Sequence, residues 1–285
     1  MLSQVLLNGL FISSIYCLVA LGLSLILGVM DIADFSQGAL YMLGAFIVFI
    51  ATEKLGINFL FAVILSILLA AIVGVINNAL VYQPAMKRGA NSLIAALGIL
   101  LIIQNTSLLI FGSDPQNLNL PFGRENVEIL QGTIPLYKLL IMAFSVVIPF
   151  MVWLFLQRTK TGKAIRAVSQ EKEGASIVGI SSGKVSIFTF SIGAAITGFT
   201  GALVAPVYAF DVFFGTDIIV KAFTIVIFGG LGSIRGVIVG AMIIGIGENL
   251  VAGYISAEYS NMLPLILLIL ILFVRPQGIF GRRAI

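Results

Sequence analysis

The side chains that could do chemistry in this sequence are few, and whole classes are missing. There is no histidine and only one cysteine, Cys17. An intrachain disulfide, a zinc site of the Cys/His kind, an HExxH metalloprotease centre and a Ser-His nucleophile are therefore excluded. What remains is a handful of acids, amides and one lysine set among apolar residues. Asp31, Asp34 and Gln37 follow the first apolar run, with Tyr41 just beyond; Gln104 and Asn105 interrupt the fourth; Asp217, Lys221 and Glu248 lie in the last third. No pair of carboxylates stands out as an acid–base dyad. Charged groups at membrane depth are expensive unless they face water or a partner, and Asp34, Gln37, Tyr41, Gln104, Asn105, Lys221 and Glu248 are the candidates for a solute path. Asp217 and Lys221, four apart, are expected to pair on one helical face. Glu248, beside Asn249, reads either as a partly buried functional acid or as a helix-end residue at an interface.

Two glycine-rich stretches invite a phosphate-binding reading, and both fail it. GISSGKV, Gly179–Val185, is one residue short of the P-loop spacing and lacks the Ser/Thr after its lysine; GGLGSIRG lacks the strand that a dinucleotide loop follows. The chain is expected to hold no nucleotide, metal or other cofactor itself.

The elements that must position these residues are membrane spans. Of the 285 residues, 60% are hydrophobic and 10% charged, against about 25% charged in soluble domains. The net charge of +4 reads as basic residues gathered in cytoplasmic loops, not as a nucleic-acid surface. The first span runs from about Gln4 to Gly28, and Gly9, Ser13 and Cys17 form a small-residue stripe for helix packing. Residues 1–30 carry no Lys or Arg and no A-x-A site, so this span is expected to be retained. Phe35–Thr52 is the second span. The break before it is either a cytoplasmic turn, with Asp34 or Ser36 capping the next helix, or part of a solute path. Leu55–Met86 and Gly89–Ser113 follow, separated by a basic loop over 84–91. The loop 114–136, with Asp114, Arg124, Glu125 and Glu128, belongs outside. Leu139–Gln157 contains Pro149, and Val185–Phe210 carries Gly193, Thr197, Gly201 and Ala205 at spacing four.

Two short uncharged runs, Ala222–Ile234 and Gly236–Gly247, flank Arg235. Neither reaches the roughly 17–25 residues of a span, so Arg235 is expected on a turn between two short helices. Tyr259–Val274 is the last span, and Arg275, Arg282 and Arg283 place the C-terminus inside. The expectation is an all-α fold: one polytopic transmembrane bundle over residues 1–285, with seven full spans and a broken or re-entrant pair in the C-terminal third.

Between the fifth and sixth spans lies Arg158–Lys184, with six of the sixteen basic residues. Within it EGASIVG, Glu173–Gly179, reads as a short amphipathic helix closed by Gly179, with Ala175, Ile177 and Val178 on its apolar side. This segment resembles the E-A-A-x-x-x-G loop of bacterial ABC importer permeases, with Gly174 in place of the first alanine. TGKAIRAVSQEKEGASIVGI, GLSLILGVMDIADFSQGALYMLGAF, FGGLGSIRGVIVGA and RPQGIFGR together are similar to the branched-chain amino acid permease family. One departure is DFSQG, where Asp34 and Gln37 stand in place of the family's amide and histidine.

That resemblance implies a permease subunit in a bacterial plasma membrane, with 84–91, 158–184 and the C-terminus cytoplasmic. It implies a second related permease, two cytoplasmic ATPase subunits holding ATP and Mg, and an extracytoplasmic solute-binding protein. It makes Glu173, Gly174, Ala175 and Gly179 the ATPase-coupling contact, flanked by Lys163 and Arg166. The cargo implied is leucine, isoleucine and valine. A urea or amide importer, or a carrier that needs no ATPase and couples through Glu248, Asp217 and Lys221, remains open on the residues alone.

Overall fold

Twenty-nine consecutive uncharged residues, Leu2–Met30, form the first helix, α1. A helix without a polar face must be covered on every side, and α1 is: Leu18, Val19, Ala20 and Leu21 have no exposed surface. The computed structural model describes residues 2–120, 125–129 and 132–281; Arg124, Arg282 and Arg283 lie outside the described residues.

After α1 come α2 (Ser36–Phe49), continued by a wide turn over Ile50–Lys54, and α3 (Phe59–Asn77), continued through Asn78–Tyr82 into α4 (Gln83–Lys87). Then follow α5 (Ser92–Phe111), β1 (Asn126–Ile129), β2 (Gly132–Pro135) and α6 (Leu136–Arg158). The loop side of the bundle holds α7 (Lys160–Gln170) and α8 (Lys172–Ile177). The remaining helices are α9 (Ser182–Val204), α10 (Thr216–Gly229), α11 (Ile234–Tyr254), α12 (Ala257–Ser260) and α13 (Leu263–Val274). The two strands make one antiparallel hairpin, with Val127 opposite Ile134. Eight helical stretches among the described residues are long and apolar enough to cross a membrane.

Small residues set how closely the helices approach. Gly9 lies on the Ile246 backbone and Gly245 on Ser13, which seats α11 antiparallel along α1. Gly22 meets Gly193 and Thr197, Gly44 meets Gly198, and Gly201 meets the Tyr41 carbonyl, so α9 is wedged between α1 and α2 with no room for a Cβ. Both small-residue stripes expected from the sequence are therefore packing faces.

The chain ends sort onto two sides. The Gln4 amide exchanges hydrogen bonds with the Thr133 backbone at 3.0 and 2.9 Å, and Gln116 pairs with Phe210, so the N-terminus, the hairpin and the segment after α9 share one side. On the opposite side Val29, Met30 and Ile32 at the end of α1 cluster with Tyr82, Ile165, Val168, Ala175 and Val185. The C-terminal tail joins them there: the Ile279 and Phe280 amides donate to the Phe228 and Gly229 carbonyls that end α10.

The C-terminal pair differs from expectation. Arg235 lies in the first turn of α11, and α11 is a full 21-residue helix, not a short one. Glu248, which closed the uncharged run, sits inside the helix because its charge is paired there. The short member is α10, whose 14 residues span about 21 Å, less than a hydrocarbon core of about 30 Å. It starts inside the bundle, with Gly215 against Gly38, and the irregular segment 205–215 covers the rest of the depth. The break expected in the C-terminal third is there, as the bend between α10 and α11, and only the length of α11 departs from expectation, so that eight long stretches plus α10 make up the bundle.

Candidate functional site

The loop helix is built from its caps inward. Thr159 starts α7 by accepting the Gly162 amide at 2.9 Å, and Gly162 is pressed on the Phe155 and Leu156 backbone with no room for a side chain. Ile165 and Val168 are buried against the end of α1. Lys163 on the opposite face is exposed, and Arg166 is half-buried. After Glu171 the chain turns into α8. Its C-terminus closes as a Schellman motif: the Ile180 amide donates to the Ala175 carbonyl at 2.9 Å and the Gly179 amide to Ser176 at 3.0 Å. Gly179 takes φ +83°, a conformation that glycine adopts without steric penalty.

The expected apolar side of α8 is only partly present. Ala175 is 4% exposed, but Ile177 is 86% and Val178 74% exposed. At 100° per residue Ile177 points away from Ala175, and Val178 already leaves the helix as its cap. Glu173 is exposed and Gly174 half-buried. Glu173, Ile177 and Val178 thus stand on the surface, on or at the end of a short helix anchored by Ala175, and Lys163 stands exposed on α7.

The candidate path residues fall into three groups. In the first, Asp34 is 1% exposed and its carboxylate is saturated. Oδ1 accepts the Ser36 amide at 3.0 Å, the Ser36 hydroxyl at 2.5 Å and the Tyr82 hydroxyl; Oδ2 accepts the Gln37 amide at 2.9 Å. Gln37 in turn accepts the Thr197 hydroxyl at 2.8 Å. A buried carboxylate is tolerated when its lone pairs are filled in this way. Asp34 therefore closes a turn onto the first amide of α2, whose N-cap is Phe35, and ties the break between α1 and α2 to α3's extension and to α9. Tyr41, 2% exposed, stacks on Phe214 at 5.0 Å. Asp34, Gln37 and Tyr41 are all buried.

In the second group Lys221 forms an ion pair with Glu248, not with Asp217, which is exposed. Glu248 is 6% exposed and also accepts the Tyr16 hydroxyl at 2.7 Å. The Lys221 Nζ donates further to Tyr16 at 3.0 Å and to Asn261 at 3.1 Å. Spacing alone favoured Asp217, but packing of α10 on α11 and α1 turns the lysine towards the more buried acid. In the third group the Gln104 amide donates to the Thr216 hydroxyl at 2.9 Å, while Asn105 is exposed and bonds its own helix at the Leu101 carbonyl.

Sequence reasoning missed Tyr16, Tyr82 and Asn261, the polar partners that complete the first two groups. The tyrosines sit in unbroken apolar runs with no local signal, and only the tertiary packing shows their hydroxyls engaged.

The family model described as branched-chain amino acid transport system / permease component matches residues 5–272. The high-affinity branched-chain amino acid transport system permease protein LivH of Salmonella typhimurium is 30% identical, covering 98% of this chain and 95% of that protein. BraD of Pseudomonas aeruginosa, described in the same words, is 31% identical with the same coverage. LivM of Escherichia coli, a permease protein of a transport system of the same description, is 25% identical over 94% of this chain and 68% of its own length. Among solved structures, PsaBC from Streptococcus pneumoniae in complex with Fab aligns with a TM-score of 0.50 and 14% identity, over 96% of this chain and 92% of that one, which supports the fold alone.

Proposed function

The chain belongs to the branched-chain amino acid permease family, and from that premise we propose that it moves branched-chain amino acids into the cell by alternating access driven by separate ATPase subunits. As a member it is a multi-pass integral membrane protein and a transport subunit, not an enzyme. The observation that carries the coupling is α8. A six-residue helix ends in a glycine-closed motif, is pinned by Ala175, and offers Ile177 and Val178 to solvent. Exposed apolar side chains on a polar loop fit a protein partner.

Two cytoplasmic ATPases would dock there, holding the ATP and Mg that this chain has no loop to bind. A second permease of the LivM kind would complete the membrane domain, and an extracytoplasmic protein would deliver cargo. The membrane is a bacterial plasma membrane. Lys87, Arg88, Lys163, Arg166, Arg235 and Arg275 all gather on the α7–α8 side of the bundle, which the positive-inside rule assigns to the cytoplasm. Residues 84–91, 158–184 and the C-terminus then face inward, and the N-terminus outward.

The test is uptake of labelled leucine by proteoliposomes holding this chain with its second permease and ATPases. Import should require ATP and a loaded binding protein. Leucine flux through the purified chain alone would instead identify an independent carrier, and uptake of urea in place of leucine would reassign the cargo.

A further inference from the structure

Asp217 lies in the first turn of α10 and its side chain is exposed. Its depth sets it apart. The preceding residue, Thr216, is hydrogen-bonded to Gln104 within α5. At 1.5 Å per residue that point is about 18 Å along α5 from Ser92 and roughly 10 Å from Phe111. The residue before Thr216 is packed inside the bundle as well, since Gly215 rests on the Gly38 backbone. Asp217 therefore projects from the interior depth of the bundle and not from a loop.

Nothing among the described residues compensates it. Lys221, one turn on, is committed to Glu248, Tyr16 and Asn261. Among the described residues the Asp217 carboxylate has no ion pair and no hydrogen-bond partner. A carboxylate in that position does not face hydrocarbon; it faces water or a partner group. Asn105, which follows Gln104 on α5 as Asp217 follows Thr216 on α10, is also exposed. Phe213 and Val220, 57% and 43% exposed, flank it on the same helix and the turn before it.

We propose that Asp217 lines the water-filled path and receives the α-ammonium group of the amino acid in transit, with Phe213 and Val220 touching its apolar side chain. This rests on the amino-acid import read above. It distinguishes Asp217 from Asp34 and Glu248, whose carboxylates are already occupied within the fold.

Two measurements on the complete transporter test it. In a Cys17→Ala background, Asp217→Cys should react with a charged, water-soluble methanethiosulfonate reagent, and leucine delivered by the binding protein should slow the reaction. In proteoliposomes Asp217→Asn should lower the maximal uptake rate roughly tenfold, the size of one charge-assisted contact. The binding-protein concentration at half-saturation and the unfolding midpoint should not move, and Asp217→Glu should restore most of the rate. A cysteine that never reacts, or an Asp217→Asn variant with the parent rate, overturns the proposal while leaving leucine import standing. If the parent complex imports no leucine, the functional reading fails and the ammonium assignment with it. The labelling result then still decides whether Asp217 meets water.

Discussion

Lys221 and Glu248 can be either a structural tie between α10 and α11 or the working parts of an ion-coupled carrier, and a double-mutant cycle separates the two. Glu248 is 6% exposed. Replacing Lys221 with Met leaves that carboxylate with one donor, the Tyr16 hydroxyl at 2.7 Å. Removing one partner of a buried pair costs about 3–5 kcal/mol, whereas removing both is often close to neutral. The Lys221 side chain keeps 18% exposure, so the lower end applies, about 3 kcal/mol for Lys221→Met. Lys221→Met combined with Glu248→Gln should recover to within ~1 kcal/mol of the parent, because the amide keeps the Tyr16 contact and no charge is stranded. The cycle is measured by unfolding in mixed micelles titrated with SDS, alongside ATP-driven uptake. As a structural tie, the double variant regains both stability and uptake. If it regains stability and yet transports nothing, the pair takes part in moving solute and the structural reading is refuted.

Three further outcomes follow from the same geometry. Ile177→Asp, at a side chain 86% exposed, should leave insertion and folding intact yet abolish ATP-dependent uptake and co-purification of the ATPases; unchanged uptake would remove α8 from the coupling contact. Tyr82→Phe deletes one donor to the buried Asp34 carboxylate and should cost about 1–3 kcal/mol, read in the same SDS titration, with Asp34→Leu worse because Ser36, Gln37 and Tyr82 all lose their acceptor. Gly201→Val places a branched side chain on the Tyr41 carbonyl, where even a Cβ has no room; expression of folded protein should collapse, while Gly98→Val, with open space around it, should be accumulated normally.

The bundle was legible because span-length apolar runs and basic loops report on the bilayer, a solvent that every residue meets in the same way. The stripe Gly9, Ser13 and Cys17 was legible for a similar reason: a helical period of small residues has few uses besides close packing. What failed was the reading of charges by their neighbours in sequence. Glu248 read either as a partly buried acid or as a helix-end residue, and Lys221 was given to Asp217 instead, four residues away; the acid is in fact buried inside α11. Its partner Lys221 lies 27 residues away, and no local pattern announces that pairing. Ile177 and Val178 failed in the opposite sense. A short apolar pair was read as a buried face, although a six-residue helix has one anchored side and cannot bury both.

The glycine motifs show the same limit from another direction. GGLGSIRG and RPQGIFG look like separate signatures nearly fifty residues apart, yet they form one contact. Gly229 lies on the Gly236 backbone, Gly232 on Gly28, and Gly230 between Gly278 and Gly281. The last carbonyls of a helix need donors from outside it, and the tail supplies them: the Ile279 and Phe280 amides reach the Phe228 and Gly229 carbonyls at 2.9 and 3.0 Å. Backbone can approach backbone that closely only where side chains are absent, which accounts for glycine on both partners. Gly230, Gly232 and Gly278 also take positive φ, so the sharp turns that bring the strands of chain together need the same residue. The end of α10 is therefore held by the tail and by α1 on the α7–α8 side, and its beginning by Gly38 and Gln104, which leaves the Asp217 side chain exposed on a fixed first turn. A helix fixed at both ends can carry a solute contact on one exposed side chain without loosening the bundle around it.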